Sequence, residues 1–418
     1  MTGHVAAKLM NLITVNVESV RIGHPLPFSL RGEDGRLLAN KGFVVQSRGD
    51  LQAMVGRGFH LYVDVTESES HHRAYVGKLH ALVRQDKPLG QIAVAQISTS
   101  DLDTPRVSSD DGPNWLDLQM QTNALLRDHN PAHFLERLEK LQASLSHHSH
   151  RNPDGALFAL IYLSATEPRL YSATEAMLVS VMCGLAVREV LKWSPEMEAT
   201  ICKAALTMNV GMIELQDRLA LQMEAPNQAQ RKVVDEHPTR SVALLQELGV
   251  SDDTWLEAVR EHHNKAPGTL QSRSLGQQMG RLIQRADLFA ASLAPRASRL
   301  PISPAVAMQA SYFDENKAID DAGAALIKTV GVYSPGSFVR LATGEIGVVV
   351  RRGLNAATPK VAVLVNREGM PTLENSTRDT SQPSYHIVAS VSQRDVKIKI
   401  NLERLMPLTL PTASDRPW

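Results

Sequence analysis

The sequence predicts a multidomain α+β protein: an all-α helical bundle flanked by a small N-terminal β or α+β domain and a small C-terminal β domain. Three observations predict it. From Trp115 to about Val330 almost every segment repeats its apolar residues at helical spacing. Residues 13–66 and the stretch beyond Val330 carry short β-type runs broken by turn residues. The chain's 418 residues leave room for two or three packed domains.

In the first domain, residues 1–66, Asp34-Gly35 between apolar runs marks a hairpin, with Leu37-Leu38 on its far side. Gly42 to Val45 starts another strand, Asp50 to Val55 reads as a short helix, and His60 to Val63 as a strand. Residues 67–114 form a linker with one amphipathic helix at Ala74 to Gln85, because Ser, Thr, Asp, Pro and Gly collect after Ser98. In the bundle, residues 115–330, Ala176 to Val187 is apolar nearly all round, interrupted by Ser180 and Gly184, which predicts a central helix. Gly249 stops one helix after Leu248, Ser251, Asp252 and Asp253 open the next, and Gln277 to Leu293 forms a later one. Residues 331–408 form the β tail. Its strands lie at Phe338 to Leu341, Ile346 to Arg351, Val361 to Val365, His386 to Val388 and Val396 to Ile400. Ala342 to Glu345 turns a hairpin, Glu374 to Ser384 is a polar loop, and residues 409–418 are a tail.

Charge narrows the function classes. Lys+Arg and Asp+Glu both number 44, and non-specific phosphate affinity needs a basic excess, so no nucleic-acid partner is expected. Two cysteines, Cys183 and Cys202, both in apolar stretches, cannot build a disulfide framework and fit a reducing compartment. No apolar run reaches the ~20 residues a bilayer requires, and the opening residues lack the pattern of a secretory leader. A cytoplasmic protein without a membrane span is expected. Neither a Gly-x-x-x-x-Gly-Lys-Ser/Thr phosphate loop nor a Gly-x-Ser-x-Gly nucleophile motif occurs.

Candidate chemistry rests on the histidines and a few carboxylates. His147, His148 and His150, set among serines, read as a solvated loop between helices. His262-His263 ends a helix whose apolar face is Trp255, Leu256 and Val259, so one imidazole continues that face inward; the alternative is a pair serving the helix dipole. Asp287 lies on the apolar side of its helix, and a buried carboxylate needs a cation, a metal or a donor. The plain alternative is an ion pair with Arg281, Arg285 or an arginine from elsewhere. His237-Pro238 sits just before a helix predicted from Arg240 to Leu248. In the β tail, Arg340, Arg351 and Arg352 read either as a positive surface for an acidic partner or as a solvated face.

The order of these residues resembles the HD-GYP branch of the HD phosphohydrolase superfamily. The resemblance is carried by Ala204 to Ile213, Glu236-His237-Pro238, Glu261-His262-His263, Arg285-Ala286-Asp287 and Tyr171 to Glu175. The closing segments Arg296 to Pro304 and Tyr333 to Glu345 add to it, and the last is the most specific. Residues 13–66 also resemble a small domain that often precedes such modules.

The resemblance implies an all-helical metal-dependent phosphodiesterase acting on cyclic-di-GMP with a centre of two or three iron or manganese ions. Its defining His-Asp doublet supplies one imidazole and a metal-bridging carboxylate. Here the doublet is Met208-Asn209. A thioether is a soft ligand, and a neutral amide lacks the charge to hold two dications together. Glu175 stands where the family has a histidine, Met212 replaces a lysine, and Asn264 to Leu270 contains no Gly-Tyr-Pro. The expectation is therefore a degenerate signalling protein without catalytic residues. It acts through signalling proteins, diguanylate cyclases among them, or by sensing cyclic-di-GMP. His237, His262, His263, Asp287 and Glu175 are the vestigial metal ligands; the expectation is no cofactor, or else one iron or manganese ion. The alternative is a phosphohydrolase with a mononuclear site.

Overall fold

The computed structural model describes residues 113–411, apart from 167–169, 267, 298–301, 373–375, 393–394 and 397–401, and separate stretches between residues 12 and 64. It is mostly helical, with two small antiparallel sheets, one near each end of the chain. The chain divides into two compact units, residues 1–117 and 118–418.

In the first unit, β1 (Leu12–Thr14), β2 (Leu30–Arg31), β3 (Leu37–Ala39) and β4 (Tyr62–Asp64) form one antiparallel sheet in the order β1-β4-β2-β3. Leu26, Leu30, Val45, Leu61 and Val63 are buried there. β2 pairs with β3 antiparallel, as a hairpin requires, while Asp34 and Gly35 lie outside the described residues. So do the helices read at 50–55 and 74–85 and most of the strand read at 396–400. Val396 itself is described and is not in a strand.

Helix α1 (Trp115–Arg127) leads into the second unit, built on α2 (Phe134–Arg151), α3 (Pro153–Thr166), α4 (Tyr171–Leu185) and α5 (Pro195–Thr207). All fifteen residues of α4 are buried, which agrees with its apolar circumference. It packs against α3, α5 and, further along, α6 (Ile213–Leu221) and α9 (Leu275–Leu293). Helices α7 (Gln228–Glu247) and α8 (Asp253–Glu261) lie between these in sequence, and α10 (Pro304–Tyr312) and α11 (Asp321–Val330) follow. Gly249 ends the turn after α7 at φ +93°, with Val250 N–H donating to Leu245 O at 2.9 Å. Asp252 caps α8 by accepting from Trp255 N–H at 3.1 Å.

Two helical readings need correction. His147, His148 and His150 lie on the last turns of α2 rather than in a loop, because Leu138, Leu141 and Leu145 keep that helix docked through residue 151. Pro238 lies inside α7, not ahead of it.

The C-terminal sheet is antiparallel in the order β8-β7-β6-β5-β9: β5 (Phe338–Leu341), β6 (Ile346–Arg351), β7 (Lys360–Val365), β8 (Thr377–Asp379) and β9 (Ile387–Val391). β8 falls in the stretch read as a polar loop; its edge position exposes one side chain and leaves no apolar alternation to detect. Alternate residues separate the faces. Phe338, Val348, Val350, Ala362 and Leu364 pack with Phe158 of α3, and Val339, Leu341, Val349 and Val361 cluster on the other face. A final short helix, α12 (Leu402–Leu405), closes the chain's described course with a 3-10 turn. Arg340 is exposed, but Arg351 and Arg352 are not a solvated face. Arg351 donates to Leu410 O at 3.0 Å, and Arg352 pairs with Asp154 and Glu189, each at 2.7 Å.

Candidate metal centre and its blocked neighbour

Two polar clusters form where the sequence suggested one. The first holds three imidazoles. Pro238 has no N–H, so the carbonyl of Val234, four residues earlier in α7, loses its helical donor. The ring of His237 takes that place, its Nδ1 lying 2.5 Å from Val234 O. At the end of α8, where carbonyls also lack helical partners, His262 Nδ1 lies 2.6 Å from Val259 O. A carbonyl oxygen only accepts, so both Nδ1 atoms are assigned as N–H donors. In the neutral rings both Nε2 atoms are then bare lone pairs, and they face each other at 3.1 Å.

Two lone pairs cannot hydrogen-bond to one another. Either a ring gains a proton or a cation joins them. Burial resists the first: it pushes His237 down to about 4 and His262 well below the ordinary imidazole value, with the neighbouring histidines adding to both. His263, at the exposed rim, is lowered by burial and by Lys265. Its ring centroid is 4.3 Å from that of His262 and 5.0 Å from that of His237. One ligand nitrogen from each of the three rings lies within 4.8 Å of the others. Two imidazoles on one ion, with bonds of about 2.0–2.1 Å, place their nitrogens roughly 3.0–3.4 Å apart, so the spacing fits a divalent metal. Backbone carbonyls that fix the tautomer are the usual outer support of such ligands.

The second cluster holds the carboxylates. Glu175 on α4 is buried, with Tyr171 O–H, one turn earlier on the same helix face, and Gln216 Nε2 donating to it. Asn209 Nδ2 donates to the same carboxylate oxygen as Gln216, at 3.4 Å. Arg296 donates to Tyr171 Oη at 2.7 Å and sits 5.2 Å from the centroid of its ring. Burial first, and Asp287 second, push Glu175 up to about 8. Asp287 rises to about 6 through burial, opposed by the positive charge of Arg296. A cavity of about 10 Å³, room for about one water, opens beside Glu175 and Ser164.

Of the predicted ligands, His237, His262 and His263 converge; Asp287 and Glu175 lie outside the three-histidine group found among the described residues. Asp287 faces inward as its spacing predicts, and the arginine whose charge it feels is Arg296 rather than Arg281 or Arg285. Those two instead bind Glu315 and Asp320. Met208 is buried at the end of α5, and Asn209 turns its amide to Glu175. The buried oxygens Asn209 Oδ1 and Gln216 Oε1 have no partner among the described residues. Sequence reasoning gave no role to Gln216 or Tyr171. The i,i+4 spacing of Tyr171 and Glu175 was an available signal, as was the proline that frees a carbonyl for His237.

No family model matches the chain. Over 237 residues it is 24% identical to the cyclic di-GMP phosphodiesterase PA4108 of Pseudomonas aeruginosa, a match covering 56% of this chain and 55% of that relative. The chain thus spans about half the length of the curated relative. A solved structure, Bd1817, an HDG"Y"P protein from Bdellovibrio bacteriovorus, aligns with 76% of this chain and 98% of its own at 12% identity, with a TM-score of 0.42, too low to argue from. The phosphodiesterase relative supports the HD-GYP resemblance that the motifs carry.

Proposed function

We propose that this chain, HD-GYP-like in its motifs and in its relative, is a degenerate member of that family that signals without efficient phosphodiester hydrolysis. It acts by sensing cyclic-di-GMP or by contacting signalling proteins such as diguanylate cyclases, in a cytoplasm. One observation carries the reading: the residue at the bridging position, Asn209, is a neutral amide donating to Glu175. A donor facing a carboxyl is not a bridging anion, and two dications need one.

The three imidazoles support retention of a single ion on His237, His262 and His263. When bound, a divalent ion would supply Lewis-acid polarisation of a phosphoryl oxygen. The chain's own residues then set the limits. The ring N–H groups held by Val234 and Val259 keep two imidazoles aimed at one point. Glu175 and Asp287 remain with Tyr171 and Arg296, apart from that point. Without a second ion, stabilisation of both the attacking and the leaving oxygen loses its main source. The converging rings also favour a second reading, a slow mononuclear phosphohydrolase.

The test incubates the purified chain with cyclic-di-GMP and its linear dinucleotide in excess manganese or iron, and titrates the same sample calorimetrically. Binding without turnover is expected of a sensor, and neither is expected of a protein-contact module. Turnover at enzyme-like rates, on the order of one per second or faster, would overturn the degenerate reading.

A further inference from the structure

We propose that the imidazole cluster binds one late divalent transition ion of the zinc class, Zn2+, Co2+ or Ni2+, in strong preference to Mn2+ or Mg2+. The inference rests on the reading that these rings hold one ion, and it goes further by naming the ion's chemistry and the reason for it.

The donor set is the first reason. His237, His262 and His263 offer nitrogen only, and no carboxylate belongs to the group among the described residues. Affinity for imidazole rises along the series from manganese towards copper and stays high at zinc, whereas manganese and magnesium select oxygen donors. A carboxylate ligand would soften that order, and among the described residues none joins the three rings.

The second reason is how the oxygen donors are engaged. Glu175 receives Tyr171, Asn209 and Gln216, and Asp287 lies in the field of Arg296. Recruiting either carboxylate would strip donors or a positive charge from a group buried with them. Asn209 and Gln216 present N–H groups to Glu175 and leave their oxygens unpartnered. That arrangement serves a carboxyl group, and a cation seated there would first have to turn both amides away from Glu175. The oxygen half of the site is closed and the nitrogen half is open.

Preorganisation is the third. Both buried rings are oriented by carbonyl contacts at 2.5 and 2.6 Å, and their lone pairs already face each other at 3.1 Å, so binding needs little rearrangement.

The full chain, stripped with a chelator, is dialysed against Zn2+, Co2+, Mn2+ or Mg2+; bound metal is counted by elemental analysis, and thermal unfolding and the visible spectrum of the cobalt form are recorded. One Zn2+ per chain is expected, at least about a hundredfold tighter than Mn2+, with a raised unfolding temperature and the cobalt bands of a low-coordinate nitrogen site. His263→Gln, at the exposed rim, is expected to weaken Zn2+ about tenfold or more while leaving the metal-free unfolding temperature unchanged. Comparable affinity for Mn2+, or two ions per chain, would overturn the inference while leaving the single-site or metal-binding reading to be revised separately. Absence of binding by every ion would overturn the inference and the retained-metal reading together.

Discussion

Glu175→Gln isolates the energetic consequence of the second cluster. An ordinary glutamate ionises near 4.5, and Glu175 near 8, because burial and Asp287 both oppose its charge. The folded state therefore keeps a proton that the unfolded chain releases, and Glu175's contribution is fully present below about 4.5 and lost as pH rises towards 8. At about 1.4 kcal/mol for each pH unit between the two values, the loss reaches at most about 5 kcal/mol, of which about 4 falls between pH 5 and 8.5. Glutamine does not titrate. Its Nε2 would face two amides that rotate to offer the unpartnered oxygens of Asn209 and Gln216, so the substitution suits the pocket. Urea unfolding of the chelated protein and the variant at pH 5 and 8.5 measures the effect. The variant should gain on the wild type by up to about 4 kcal/mol over that range. Parallel pH profiles would refute the assignment of a proton-holding buried carboxyl.

Other perturbations read different parts of the structure. The depressed His237 value, about 4 against an ordinary 6.5, makes the unfolded chain the proton acceptor; stability present above pH 6.5 is lost as pH falls towards 4, by up to about 3 kcal/mol, in thermal melts of chelated protein. Gly211→Ala places a Cβ 2.8 Å from Ser241 N and 3.0 Å from Arg240 Cβ, so the turn after Asn209 must shift; a loss of about 1–3 kcal/mol in urea unfolding is expected, and a change below about 0.5 kcal/mol counts against this packing. Arg352→Ala leaves Asp154 and Glu189 without their shared cation; a cost of about 3 kcal/mol is expected, and the double variant with Asp154→Asn should recover part of it.

The catalytic expectation and the site geometry belong to different levels of description. Met208-Asn209 is legible as a departure from a resembled motif, and the chemistry of an amide against a carboxylate needs no coordinates. That Asn209 meets Glu175 required α4 and the end of α5 to be side by side, as did the company of Gln216 from α6. The same holds for the β tail: its inner strands read as continuous apolar runs because both faces are packed, while β8 at the edge carries no apolar signal.

What the sequence determined by itself is whatever depends on neighbours along the chain. The nearly continuous apolar circumference of α4, the stop at Gly249, the cap at Asp252 and the inward bearing of Asp287 all follow from spacing within one helix, where a few bonds fix the geometry. Only the tertiary structure decided which distant groups meet. His237 and His262 are twenty-five residues apart and face each other because α7 and α8 pack together, while Asp287 is answered by Arg296. The reason is physical: periodicity states which side of a helix is buried, and nothing in it states what lies across the interface.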